Sequence, residues 1–176
     1  KQIKQIENLV NEFSDFARMP KPIFKKNDLI KIIDENIFLM KELDSLINIS
    51  FKHKEKNIII NCDSEQLNRI FINLLKNSIE SINEKFIKKP HFTKKIDIEI
   101  DAKDDYIEII ISDNGTGFEN KDLTKILKPY FTTKKNGSGL GLPIVNKIIN
   151  DHNGVLKILP NLTGAIIKIN LPKDVY

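Results

Sequence analysis

The feature that most constrains this chain is an apolar strand that runs straight into a carboxylate and two glycines. Residues 106–112 alternate and then become almost wholly apolar through Ile107, Ile109, Ile110 and Ile111, as a mostly buried strand does. The next six residues are Asp113-Asn114-Gly115-Thr116-Gly117-Phe118, so a carboxylate sits at the rim of the core. Gly115 and Gly117 tolerate positive φ and let a ligand approach the backbone closely, while Asp113 accepts hydrogen bonds from a donor such as an exocyclic amine. The combination suits an adenine through its N6 amino group. Asp, Asn and Gly are also the commonest turn residues, and by itself such a hexapeptide is more often a turn than a site.

Two further stretches carry chemistry. Asp63 is a good N-cap and Gln66, three residues on, completes a capping-box pattern, so a helix is expected from there to about Phe86. On a helical wheel Leu67, Phe71, Leu74, Leu75, Ile79 and Ile82 cluster on one side, and Gln66, Arg69, Asn73, Asn77 and Glu80 form a separate polar stripe. Asparagine costs roughly half a kcal/mol relative to alanine inside a helix, so Asn73 and Asn77, one turn apart, need either a solvated face or a ligand. Farther on, Gly137-Ser138-Gly139-Leu140-Gly141-Leu142 opens an apolar helical run through Ile144, Val145, Ile148 and Ile149, with Gly154 as its C-terminal signal. Free N–H groups at a helix start favour an anion, and Lys134 and Lys135 add charge just upstream. The stretch is neither a P-loop nor the dinucleotide fingerprint. Residues 119–136, between the two glycine-rich turns, carry five lysines and have the length of a functional lid.

The remaining segments set the frame. Ile3, Ile6, Leu9, Val10, Phe13 and Phe16 or Ala17 follow helical spacing until Met19-Pro20-Lys21-Pro22 stops them, which reads as an end helix of a bundle. Asn27 or Asp28 caps a second helix whose stripe, Leu29, Ile32, Ile33, Ile37 and Met40, faces a sheet. Residues 47–51 and 57–61 are short alternating runs that read as a hairpin. Strands near 96–101 and 106–112 turn at Asp104-Asp105, and runs at 155–159 and 165–171 complete a sheet. His53 reads as an exposed loop residue and His152 as a capping or solvated helix end.

Composition bounds the rest. With 176 residues, 40% hydrophobic and 30% charged, the chain suits one principal core. No apolar run approaches the roughly 20 residues of a membrane span. Cys62 is the single cysteine, which excludes a disulfide framework or cysteine-rich zinc site within the chain and makes a reducing compartment the default. The net charge of +4 is dispersed among acids, so no nucleic acid is expected as a partner. The chain begins at Lys1 and reads as a piece of a longer protein.

Taken in order, these stretches resemble the GHKL nucleotide-binding family. Asn73 to Asn77 resembles its N box, 113–117 its G1 box, Pro129-Tyr130-Phe131 its F box and 137–141 its G2 box, and the likeness covers nearly everything after Lys25. The run Glu12-Phe13-Ser14-Asp15-Phe16-Ala17-Arg18-Met19-Pro20, with Phe131-Thr132-Thr133-Lys134, is similar to the NtrY-like branch of sensor histidine kinases. The resemblance implies an α+β, two-layer sandwich of the Bergerat type, with a mixed, mostly antiparallel sheet of about five strands covered by about three helices. It implies the end of a dimerisation and phosphotransfer hairpin over 1–22 and a catalytic ATP-binding domain over 23–176. The activity implied is transfer of the ATP γ-phosphoryl group to a histidine, with ATP and Mg²⁺ as cofactors.

By the same resemblance Asn77 is the Mg²⁺ ligand, with Asn73 possible beside it, and Asp113 recognises adenine N6. Gly115, Gly117, Gly137, Gly139 and Gly141 shape the pocket and lid hinges, with Phe131 and Leu140 in the same boxes. Thr132, Thr133, Lys134 and Ser138 are candidate phosphate contacts. Hydrolysing members carry a Glu where this chain has Asn73, and an amide cannot take a proton from water, so efficient hydrolysis is not expected. Glu80 departs from the basic residue common at its position and receives no role. None of His53, His91 or His152 sits in a phosphoacceptor pattern, which places the acceptor before Lys1. The implied partners are the parent's own dimerisation domain, within a homodimer, and an NtrX-like response regulator. The implied location is the cytoplasmic side of a parent anchored in the bacterial inner membrane. The alternatives are a GHKL ATPase and a nucleotide-sensing module without catalysis.

Overall fold

The structure, a computed structural model, describes residues 10, 13, 14, 18–118, 125–132, 134, 137–161 and 163–173. In chain order they form β1 (Lys25–Asp28), α1 (Leu29–Leu43), β2 (Asn48–Lys52), β3 (Ile59–Cys62), α2 (Ser64–Lys88), β4 (Lys95–Ala102), β5 (Tyr106–Asp113), a 3-10 turn (Lys125–Leu127), α3 (Gly141–Asp151), β6 (Val155–Leu159) and β7 (Ile166–Pro172).

The alternating sequences of β4, β5 and β7 each put one row of side chains on the same face of a sheet. Ile98 lies opposite Ile111 and Ile100 opposite Ile109, while Ile169 lies opposite Ile109 on the other side. This buried row meets the helices. The sheet order is β2-β4-β5-β7-β6, antiparallel throughout except for the parallel β2–β4 pair. Helix α2 lies between α1 and α3, in contact with both. Leu29, Ile33 and Met40 of α1, Leu67, Phe71, Leu74, Leu75 and Ile82 of α2, and Val145, Ile148 and Ile149 of α3 are all buried in one core. Burial of each contributes roughly 1.5–3 kcal/mol before the entropy of ordering is subtracted. The two-layer α+β architecture expected from the resemblance is the one observed.

The expected hairpin of 47–51 with 57–61 does not form. β2 joins the main sheet, with Ile49 beside Ile96. β3 pairs antiparallel with β1 in a separate two-stranded sheet. The cause lies at Asp28, whose Oδ1 accepts from Ile30 N–H at 3.1 Å as the cap of α1 and from Ile58 N–H, also at 3.1 Å. Leu29 N–H donates in turn to Ile58 O at 2.9 Å. These bonds draw the second run to the start of α1 and away from β2.

The start of α2 also departs from expectation. Asp63 Oδ1 accepts from Gln66 N–H at 3.1 Å, as a cap should. The reciprocal half of the capping box is missing: Gln66 Nε2 donates to Pro20 O at 3.0 Å, and Asp63 N–H donates to His152 Nε2 at 3.1 Å. His152 is therefore not a solvated helix end. It is only 2% exposed, its Nδ1 lies 2.8 Å from Ile148 O, and it ties the end of α3 to the start of α2. Because Nε2 accepts from a backbone N–H, Nδ1 carries the proton. Phe24 meets this ring edge-on at 5.1 Å, and Ile23 N–H donates to Asp63 Oδ2 at 2.8 Å, so residues 20–24 are fastened across the same corner. At the far end of α3 it is Asn153, with φ 56°, that takes the left-handed position, while Gly154 N–H donates to Ile149 O at 2.8 Å.

Val10, Phe13 and Ser14 are helical, and Arg18 N–H donates to Ser14 O at 2.9 Å. The other positions of the expected first helix, Ile3, Ile6, Leu9, Phe16 and Ala17, lie outside the described residues. Among the described residues no helix is long and apolar enough to cross a membrane.

Candidate functional site

Where β5 ends, its last residue faces the middle of α2, and the start of α3 closes the third side. A cavity of about 660 Å³ lies between them, bordered by residues 126, 131, 132, 134 and 137–139 of the connecting segment.

One end of the cavity is built around Asp113. Its carboxylate is almost fully buried at 9% exposure, and the protein supplies it with three donors. Oδ1 accepts from Gly115 N–H at 2.9 Å and Ala165 N–H at 3.2 Å, and Oδ2 accepts from the Ser78 hydroxyl at 2.9 Å. Burial pushes the carboxyl above the usual aspartate range, against the pull of these three bonds and of the Lys85 charge. A carboxylate offers about four acceptor positions, so one, on Oδ2, is left for a ligand N–H.

The turn that follows is held against α2. Lys85 Nζ donates to Asn114 O at 2.6 Å and Gly115 O at 3.1 Å, and Thr116 N–H donates to Ser81 Oγ at 3.0 Å. A Cβ on Gly115 would lie 2.3 Å from Ser81 Oγ and 2.8 Å from Ile82 N, so only glycine permits this approach. Gly164, with φ 77°, is tighter still, since a Cβ there would lie 1.8 Å from Asp113 O.

The opposite end is built from amides and a lysine. Asn73 Nδ2 donates to Arg69 O at 2.8 Å, which leaves its Oδ1 turned toward the start of α3. A Cβ on Gly141 would be 3.3 Å from that oxygen and 3.6 Å from Asn77 Nδ2. Asn77 Oδ1 accepts from Lys134 Nζ at 3.0 Å, and the same ammonium meets Glu80 Oε2 at 2.5 Å. Among the described residues no side chain caps α3, and free N–H groups at a helix start suit an anion. Thr132 Oγ1 accepts from Lys134 N–H at 3.1 Å and Ser138 Oγ from Leu140 N–H at 3.3 Å. Beside this end Tyr130 adopts φ 67° and stacks on Phe13 with ring centres 6.4 Å apart.

Of the residues singled out from sequence, Asn73, Asn77, Asp113, Gly117, Phe131, Thr132, Lys134, Gly137, Ser138, Gly139 and Gly141 line this one cavity. Gly115 supports it from behind. Leu140 does not line it; it is fully buried in the core, where it anchors the glycine-rich turn. Thr133 and Lys135 lie outside the described residues. Sequence reasoning missed Ser78, Ser81, Lys85 and Gly164. Ser78 had a signal, a polar residue on the apolar flank of α2; Lys85 and Gly164 had none, because their partners are distant in the chain.

A carboxylate with one acceptor free at one end, and amide oxygens beside an open helix start at the other, make a cleft for a base joined to phosphates. Over residues 62–175 the chain matches the family described as Histidine kinase-, DNA gyrase B-, and HSP90-like ATPase, and it belongs to that family. ATP binding comes with that membership. An NtrY-like sensor histidine kinase of Rickettsia conorii is 39% identical over 93% of this chain and 26% of its own length. The nitrogen regulation protein NtrY of Azorhizobium caulinodans is 32% identical over 99% of this chain and 23% of its own. The chain therefore spans about a quarter of the length of the curated relatives it matches. Among solved structures, the catalytic domain of histidine kinase ThkA superposes with a TM-score of 0.75 at 26% identity, over 86% of this chain and 97% of that one. The resemblance to sensor histidine kinase catalytic domains, and to their NtrY-like branch, is matched by these relatives.

Proposed function

We propose that this chain is the ATP-binding catalytic domain of a two-component sensor kinase, which hands the γ-phosphoryl group of Mg·ATP to a histidine on a dimerisation domain rather than to water. The observation that carries this reading is Asn73. It stands where hydrolysing relatives place a general base, and its side chain is an amide bonded to Arg69 O. Glu80, which also lines the cavity and lies one helical turn from Asn77, is occupied by the Lys134 ammonium.

The donor set fits Mg²⁺. Amide oxygens are hard ligands that suit a hard cation, and Asn77 Oδ1 already accepts from a cation, the Lys134 ammonium. Asn77, with Asn73 beside it, would hold the ion, whose charge neutralises the phosphate oxygens as the phosphoryl group transfers. The chain's own residues bind and orient: Asp113 accepts the adenine N6–H, the glycines of 137–141 admit the phosphates to the start of α3, and Thr132, Thr133, Lys134 and Ser138 contact them. In this reading residues 1–22 end the dimerisation hairpin, and the catalytic domain begins near residue 23, at the corner fastened by Asp63 and His152. ThkA has been solved in complex with response regulator protein TrrA. For this chain the corresponding receiver is an NtrX-like regulator, served by a homodimeric parent anchored in the bacterial inner membrane.

The test is calorimetric titration with Mg·ATP while phosphate release is followed, and then incubation with the phosphoacceptor hairpin of the parent. Binding, slow phosphate release and label on the hairpin histidine are expected. Rapid release by the fragment alone would move the reading to an ATPase, and binding without any transfer would move it to a nucleotide-sensing module.

A further inference from the structure

The lysine at the phosphate end sits where the metal is needed. Lys134 Nζ is bonded to Asn77 Oδ1 at 3.0 Å and to Glu80 Oε2 at 2.5 Å, bridging the amide oxygen proposed to hold Mg²⁺ and the carboxylate one helical turn along α2. Lys134 belongs to the connecting segment, of which residues 126, 131, 132 and 134 border the cavity, and Glu80 is 54 residues away on α2. Their contact therefore ties Lys134 to α2. Both partners are partly exposed, 38% for Lys134 and 54% for Glu80, so the tie is one that solvent and competing ions weaken easily.

We infer that Lys134 and Mg²⁺ compete for one cation position on Asn77 Oδ1, and that Glu80 is a positioning residue that holds the lid lysine there until Mg·nucleotide displaces it. The inference rests on the nucleotide reading above and adds to it a role for Glu80. Without nucleotide, Glu80 supplies the negative charge that keeps the ammonium in place. The phosphates of an entering nucleotide would offer Lys134 a stronger partner and leave Asn77 Oδ1 free to hold the metal. Only the fraction of molecules with Lys134 released can accept the metal, so the apparent affinity for Mg·nucleotide is lower than the intrinsic one by that fraction. A solvent-exposed ion pair of this kind corresponds to a factor of about two to five.

The competition separates Glu80 from a metal ligand and from a bystander. Wild type, Glu80→Gln, Lys134→Met and the double variant are titrated with Mg·AMPPNP by calorimetry, and nucleotide-free amide exchange is measured at Gly137, whose N–H donates to Lys134 O at 3.2 Å. Glu80→Gln is expected to bind Mg·AMPPNP about two- to fivefold more tightly and to speed exchange at Gly137. In the nucleotide-free protein Lys134→Met is expected to speed that exchange to the same degree, and the double variant to add nothing further. Weaker binding by Glu80→Gln would make Glu80 a metal or phosphate ligand and overturn the proposal, as would unchanged affinity with unchanged exchange. Failure of the wild type to bind Mg·AMPPNP would sink the nucleotide reading itself; binding by wild type without the Glu80 effects sinks only the competition.

Discussion

The two ends of the cavity are built on different physical terms. At the Asp113 end protein donors fill all but one of the acceptor positions: three hold the carboxylate, Lys85 holds the following turn, and Gly164 and Gly115 press backbone against backbone. At the Asn77 end the groups are held by a partly exposed lysine, a partly exposed glutamate and an uncapped helix start. The first end is finished before a ligand arrives. The second is satisfied by substitutes that a ligand must replace. A base is a rigid, uncharged plane and is best read by a site that does not move, because preorganised partners lose little on binding. A triphosphate with its metal is flexible and highly charged, and the end that receives it needs partners able to exchange.

The contrast predicts unequal responses to the same substitution at the two ends. Gly164→Ala puts a Cβ 1.8 Å from Asp113 O and forces φ 77° on a residue with a side chain, and the atom it meets is backbone that cannot swing away. A loss on the order of 4 kcal/mol in folding stability is expected, enough to threaten a marginal domain. Gly137→Ala also brings a Cβ too close, 2.5 Å from Thr132 Oγ1, but that atom ends a side chain able to rotate. Its stability should fall by no more than about 1.5 kcal/mol, the worth of the bond that Thr132 Oγ1 takes from Lys134 N–H. Thermal or urea unfolding of the pair decides the matter: equal losses would mean that the two ends are equally rigid.

The next effect is in binding rather than in folding. In Asp113→Asn the amide oxygen can still accept from Gly115 and Ala165 N–H, and the amide nitrogen can donate to Ser78 Oγ, so the fold should be kept within about 1 kcal/mol. Its nitrogen then faces the adenine N6–H, donor against donor. ATP affinity should fall by roughly 1.5–3 kcal/mol, about ten- to 150-fold. Calorimetry beside a melting curve checks both halves. Unchanged affinity would remove Asp113 from the adenine site.

What could be read in the sequence follows the same divide between local and distant causes. The β4–β5 pair was legible because Ile96, Ile98, Ile100 and Ile107, Ile109, Ile111 alternate on either side of a short turn. Asn73 and Asn77 stood out because their placement is decided within one helix. β1 was invisible: Lys25-Lys26-Asn27-Asp28 has no apolar alternation, and its pairing with β3 depends on what Asp28 does with Ile58 across 30 residues. His152 read only as a capping or solvated helix end because neither Asp63, 89 residues earlier, nor Phe24 is visible in its neighbourhood. Glu80 looked out of place for a like reason, since its countercharge is on Lys134. Carboxylates and histidines drew their meaning from partners far along the chain, and pattern alone does not supply those.

The smallest effect tests how Asp113 is kept ready. Burial raises its pKa, against Gly115, Ser78 and Ala165, so in the folded protein it takes up a proton at higher pH than an ordinary aspartate does. The folded state thus binds more protons than the unfolded one between the ordinary and the raised pKa. The cost of the buried charge to stability, full above the raised value, declines as pH falls through it and is gone below the ordinary one. Ligand binding moves the other way, because a protonated Asp113 loses an acceptor and adenine affinity drops across the same window. Adenosine, which carries no phosphate, isolates this end of the cavity from the other. Ser78→Ala removes the hydroxyl that donates to Oδ2, so the carboxyl should shift further upward and the fall in adenosine affinity should begin at a higher pH than in wild type. At pH well above that window the variant should bind adenosine as wild type does, because the Ser78 bond is lost equally from the free and the bound protein. An affinity profile identical to wild type would mean that Ser78 plays no part in keeping Asp113 ionised, and that the backbone donors of Gly115 and Ala165 suffice.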